Sequence, residues 1–258
     1  MKIIVLLKQV PDTWEDRKLG LQTGLLDRVS SEQVLEEITE KALEVALAHK
    51  DHNKLTEIVV LSMGPESVTT ALRRGLSMGA DRAIHVLDDS LVGADMARTA
   101  ITLAAVIRRE DPDLVIAGNE STDGRGGVVP AMIAEHLGQA NLSQLHSVEM
   151  TNVAISGERA SENGSLMVHA EFPAVISVTE RAAEARFPGF KGVLGAKKKP
   201  LEILTLDDLG LEPHFAGLGR SSIVSTLERP ARSAGRKVID DGNAANELAD
   251  FLADARLI

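Results

Sequence analysis

A chain of 258 residues with 44% hydrophobic but only 2% aromatic side chains must build its core from Ala, Val, Leu and Ile. A net charge of −10 argues against a nucleic-acid binder, and the lack of cysteine excludes disulfides, thiolate metal sites and a cysteine nucleophile together, a composition that fits the cytoplasm. The longest apolar runs, such as residues 3–7, fall far short of the roughly 20 residues that cross a bilayer, and Lys8 ends the first run too early for a targeting segment.

Residues 3–7 read as a central parallel strand, hydrophobic on both faces. Residues 12–30 are polar and turn-rich and hold the only tryptophan, Trp14. Ser30 and Gln33 are spaced as a capping box, which predicts a helix with Val34, Leu35, Ile38, Ala42, Val45 and Ala46 on its apolar stripe. A second strand over 57–63 closes at Gly64-Pro65. The helix after it carries Val68, Ala71, Leu72 and Leu76 on one side and stops at Gly79. A third strand is expected over 83–87 and a long helix over 92–109.

The most informative stretch follows, LVIAGNESTDGRGGVVPAMIAEHL, residues 114–137. Four apolar residues have the content of a buried parallel strand. A glycine-rich turn comes next, and Pro130 then stands where the first turn of a helix should be. Strand, glycine-rich turn and helix together aim free backbone N–H groups at an anion. Residues 126–129 therefore read as the floor of a phosphate site, with Gly126 and Gly127 letting the phosphate approach the main chain. Neither G-x-x-x-x-G-K-[ST] nor a G-x-G-x-x-G after the first strand occurs.

Near Leu142 the pattern changes. Residues 146–150, 153–155 and 166–172 are short alternating runs with an Asn163-Gly164 hairpin signal, expected as antiparallel strands at one sheet edge. Residues 174–178 form another apolar strand. Residues 181–200 read as a long loop with a Lys197-Lys198-Lys199 cluster, residues 209–233 as irregular, and 243–255 as a terminal helix. No zinc-like histidine spacing, nucleophile elbow or catalytic constellation occurs. The whole is an α/β chain with a doubly wound, mainly parallel sheet, an antiparallel edge and an extended C-terminal arm lying on a partner.

Several segments resemble the β subunit of electron transfer flavoprotein: IVLLKQVPDT, GPESVTTALRRGLSMGADRAIHV, DLVIAGNESTDGRGGVVPAMIAEHLG, and FPAVISV followed by EARFPGFKGVLGAKKKPLE. The likeness runs in order over nearly the whole chain. It implies an adenine nucleotide alpha-hydrolase-like fold, a nucleotide-binding domain over 1–185, and a recognition loop and arm over 186–258. It further implies a heterodimer with a larger alpha subunit that holds most of an FAD, and an AMP without redox role in the small subunit. Electrons would pass from dehydrogenases of the acyl-CoA type, as in fatty acid oxidation, to a quinone oxidoreductase. No catalysis by the chain itself, metal or membrane insertion is implied.

Carried over by position, the resemblance places the nucleotide at Leu6 and Met63, at Glu36, Glu37, Ile38 and Thr39, and at Gly118, Asn119, Glu120, Ser121, Thr122, Asp123, Gly124, Arg125, Gly126, Gly127, Val128 and Val129. It places dehydrogenase docking on Arg186, Phe187, Phe190, Lys191, Lys197, Lys198 and Lys199. Many members have an Asn-Pro-Phe-like turn where this chain reads Glu36-Glu37-Ile38-Thr39, and an acid where it has Ala160. Two alternatives stay open: a bifurcating subunit with a second FAD in place of AMP, and a stand-alone adenine-nucleotide sensor of universal-stress type.

Overall fold

The computed structural model of the chain describes residues 1–28, 30–211, 221, 223–232 and 234–258; of the stretch expected to be irregular, 212–220, 222 and 233 lie outside the described residues. In chain order come β1 (Lys2–Leu6), β2 (Gln9–Pro11), β3 (Gln33–Leu35), α1 (Glu37–His52), β4 (Glu57–Met63), α2 (Val68–Met78), β5 (Arg82–Val86), α3 (Met96–Glu110) and β6 (Leu114–Gly118). There follow α4 (Val129–Leu137), β7 (Ala140–Leu145), β8 (Ser147–Met150), β9 (Ala154–Ser161), β10 (Gly164–Glu171), β11 (Ala174–Val178), α5 (Phe190–Ala196), β12 (Leu201–Leu204) and α6 (Ala244–Asp254).

Seven strands form one parallel sheet in the order β12-β5-β4-β1-β6-β11-β7. The first strand shows why both faces must be covered. Ile3 and Val5 enter one core with the apolar stripes of α1 and α2, while Ile4 and Leu6 enter a second with those of α3 and α4. The chain winds from β1 outward through β4 and β5, then returns to β6 on the other side of β1. The order thus reverses between β1 and β6, where open α/β sheets form a crevice at the carboxyl ends of their strands.

Several local expectations are corrected. Residues 33–35 are a strand, not the first turn of a helix: apolar Val34 and Leu35 pair with Val10 and Gln9 in a two-stranded ribbon. The Ser30 N–H goes to Asp27 Oδ1, and α1 is capped instead by Glu36, whose Oε2 accepts the Thr39 N–H at 3.1 Å. The next long helix begins at Met96 rather than 92, because the Asp95 carboxylate caps it through the Arg98 N–H. The antiparallel strands make their own sheet, β10-β9-β8, beside a seventh parallel strand, β7, that the polar run ANLSQL had hidden. A seven-residue helix, α5, interrupts the expected loop over 181–200.

The chain divides into two compact units, Met1–Val224 and Ser225–Ile258. The first includes β12, which pairs with β5. The second contains α6, on which Leu248 and Phe251 are exposed. Among the described residues no helix is long and apolar enough to cross a membrane.

Candidate functional site

The crevice between β1 and β6 is closed on one side by the loop 118–129. Gly118 ends β6 against the first turn of α1: a Cβ there would lie 3.1 Å from Ile38 Cγ2 and 3.4 Å from Thr39 Cγ2. At the other end of the loop, Arg125 and Gly127 take left-handed backbone conformations, with φ of 48° and 65°. This brings the chain into α4, whose N-terminus has no side-chain cap and carries Pro130 in its first turn. Residues 124–128 are exposed, so this helix end faces solvent with its N–H groups free to meet an anion.

The middle of the loop is fixed by charge. Asp123 keeps only 3% of its side chain exposed and accepts Lys8 Nζ at 2.7 Å on one oxygen and Arg28 Nη2 at 3.0 Å on the other. Lys8 also reaches Ser121 Oγ at 2.8 Å, Arg28 donates to the Gln9 carbonyl at 3.1 Å, and Arg17 donates to the Thr122 carbonyl. Burial alone would raise the Asp123 pKa; the Lys8 ammonium, its hydrogen bond, Ser121 and Arg28 outweigh this and hold it at about 2. Glu36 is the opposite case. It is 1% exposed, and burial lifts its carboxyl above the usual range against the backbone N–H groups of Thr39, Ile38 and Thr122.

Three buried oxygens in this corner have no hydrogen-bond partner: Glu36 Oε1, Asn119 Oδ1 and Thr122 Oγ1. Unpaired buried polar atoms are costly and call for an explanation. The two carbonyl-type oxygens can only accept, and so ask for hydrogen-bond donors. The corner thus pairs an uncapped helix end with buried oxygens that lack donors.

Not every expected residue meets in this corner. Glu37 is exposed and pairs with Lys41 on the outer face of α1. Leu6 is buried and Met63 is partly buried against the same core, each at the carboxyl end of its strand, β1 or β4. The sequence reading missed Lys8, Arg17 and Arg28. Lys8 carried a signal, a cation directly after a central apolar strand; the two arginines lay in a loop without pattern.

A second surface forms around α5. Phe187 and Phe190 are 87% and 79% exposed, and Val193 and Leu194 are exposed beside them. The helix beneath is fixed at three points. Gly192 packs so closely that a Cβ would lie 2.3 Å from the Ser77 carbonyl oxygen of α2. Arg73 Nη1 donates to the carbonyls of Ala196 (2.7 Å) and Lys199 (2.9 Å), which close the C-terminal end. At the N-terminal side, Arg186 holds Glu44 of α1 side-on through Nε and Nη2, each at 2.7 Å, and reaches Asp51 with Nη2 at 2.8 Å. Arg186 and Lys199 are therefore fastenings rather than free docking charges: Lys199 Nζ donates to the Leu76 and Ala80 carbonyls at 2.9 and 2.6 Å. Lys191, Lys197 and Lys198 are exposed. Between α2 and α5 runs a groove of about 520 Å³ lined by Thr70, Arg73, Arg74, Pro188 and Val193 among others.

A reversing parallel sheet with an uncapped helix at the switch point defines an α/β domain of the kind that holds an anionic ligand at its strand ends. The family model for the electron transfer flavoprotein domain matches residues 23–209. The electron transfer flavoprotein subunit beta of Mycobacterium bovis is 44% identical over 263 residues, covering 99% of this chain and 99% of that protein. The protein of the same name from Mycobacterium leprae is 43% identical over 263 residues, with the same coverage of both chains. A caffeyl-CoA reductase-Etf complex subunit, CarD, of Acetobacterium woodii is 32% identical over 255 residues, covering 98% and 96%. The chain belongs to the electron transfer flavoprotein family, on its beta-subunit side, and so to a family of electron carriers.

Proposed function

We propose that this chain is the small subunit of a cytoplasmic heterodimer and holds AMP as a structural nucleotide in the corner between β1 and β6. The observation that carries this reading is the pairing of an open, uncapped helix end at α4 with the three unpartnered buried oxygens of Glu36, Asn119 and Thr122. The main chain of 126–129 would take the phosphate, and Ile38 and Thr39 would border the nucleoside. A larger alpha subunit would hold most of the FAD, which supplies the redox chemistry when bound. The present chain's part is to shape the complex and to receive its electron donors. Those donors are dehydrogenases of the acyl-CoA type, and a quinone oxidoreductase is the acceptor.

Phe187, just before α5, and Phe190 at its start support the receiving role, since exposed aromatics on a rigid base suit the few residues that carry most of an interface's energy. The exposed apolar residues of α6, Leu248 and Phe251, support an arm that lies on the alpha subunit.

Added AMP should raise the melting temperature by mass action, and Gly127→Val, at a left-handed position, should abolish that rise. Retention of the full rise in Gly127→Val would remove the loop from the site. A stoichiometric flavin on the isolated chain would point instead to a second FAD in the same corner. Phe190→Ala should slow electron transfer from a dehydrogenase with flavin and AMP content unchanged.

A further inference from the structure

Residues 12–28 form a strap beside the loop 118–129 with little core of their own. Trp14, Leu19, Leu21 and Leu25 are all exposed, and an isolated bridge between Leu19 and Leu26 is the ladder pairing described within it. Apolar burial therefore holds this segment only weakly. What ties it to the nucleotide loop is polar: Arg17 to the Thr122 carbonyl, and Arg28 to both Asp123 and the Gln9 carbonyl. Lys8, at the end of β1, completes the knot from below by gripping Asp123 and Ser121.

Two consequences follow from these contacts. Both oxygens of Asp123 are occupied by cations of the protein, so this carboxylate, although inside the loop, has no open face for a ligand. Thr122 carries the strap's contact on its carbonyl while its own hydroxyl is buried and unpartnered. The strap thus fixes the main chain of the residue that carries this unsatisfied group.

We propose that Asp123 is a positioning residue, the buckle that fastens strap 12–28 to the loop 118–129, and that the firmness of this clamp sets how fast nucleotide is exchanged. The inference rests on the nucleotide reading above but concerns a different property, the rate of exchange rather than the identity of the ligand. Breaking a buried charge pair acts mainly on dissociation, so the rate of release is the quantity to follow.

The test uses the full chain in its purified complex, loaded with radiolabelled AMP and chased with unlabelled AMP. Trypsin cleavage after Arg17 and Lys18, located by mass spectrometry, reports opening of the strap independently of activity. In the wild type AMP should slow that cleavage. Asp123→Asn should release AMP at least about tenfold faster and be cut equally with and without it. Arg28→Gln, which changes a partly exposed side chain, should give a smaller acceleration, and Arg28→Lys should restore slow release if charge on the buckle is what matters. Wild-type release rates in both Asp123→Asn and Arg28→Gln would overturn the proposal. Faster cleavage with unchanged release would do the same, since the clamp would then hold the strap without gating the site. A wild type that retains no AMP removes the nucleotide reading and this proposal together. One that retains AMP while the variants exchange normally removes the proposal alone.

Discussion

In the corner at the end of β6 one acid, Asp123, is enclosed by Lys8 and Arg28, and the loop around it takes its shape from charge. Around α5 the order is reversed: Phe187 and Phe190 stand in solvent, while the helix is fixed by close backbone contact and by carbonyls capped from outside. A short helix of seven residues has no stability of its own in water, so α5 exists because α2 holds it. The corner needs its buried acid paired; the helix needs a fitted seat. Each should fail under a different perturbation.

The largest effect is expected at the seat. Gly192→Val would force side-chain atoms into the Ser77 carbonyl, a backbone group that cannot turn aside, and overpacking of this kind costs about 1–3 kcal/mol. Calorimetry should show the loss, and electron transfer from the dehydrogenase should fall with it while AMP binding persists. If AMP binding fell equally, the two regions would not be independent.

Acid should act on the corner first. Asp123 has its folded-state pKa depressed to about 2, below the unfolded value, so its contribution is complete above about pH 4 and is lost as pH falls through 2. The contribution is of order 2 kcal/mol, and Asp123→Asn should flatten the acid limb of the stability curve. Glu36 has the opposite sign: its raised folded-state pKa makes the ionised form a cost above its unfolded value, relieved on protonation. Glu36→Gln should therefore leave the acid limb intact or steeper.

A smaller effect is expected from Arg186→Ala. It frees Glu44, whose side chain is only 11% exposed, but the arginine itself is a third exposed, so about 1 kcal/mol is the appropriate scale. The smallest belongs to Phe190→Ala, within about 0.5 kcal/mol, because its side chain packs on little. A marked fall in melting temperature there would make Phe190 a core residue and break the contrast between the two regions.

The alternation of apolar residues made the central architecture legible. Strand β4 falls at 57–63 as its composition demands, and Gly79 and Pro130 mark helix ends where glycine and proline chemistry places them. The misread places share a cause: each is decided by a partner distant in sequence. Val34 and Leu35 fit a helical stripe until Val10 and Gln9 pair with them. Strand β7 is polar because it sits at the sheet edge, and α5 shows no apolar period because a glycine contact and distant arginine and lysine side chains seat it. In the corner the glycine-rich loop was plain from local pattern. The ion pairs from Lys8 and Arg28 span more than ninety positions and left no local trace. Likewise Arg186 and Lys199 look like free charges in the sequence until Glu44 and two carbonyls of the α2 end claim them.

The residues that fasten α5 and those it presents are separate sets. Gly192, Arg73, Arg186 and Lys199 hold the helix, whereas Phe187, Phe190, Val193 and Leu194 face outward. A lineage can therefore rewrite the outward set one side chain at a time, changing the company the molecule keeps, while selection on folding sees almost nothing. The same division makes the segment a graftable cassette: exchanging these four outward residues for those of a relative transplants a preference without rebuilding the frame.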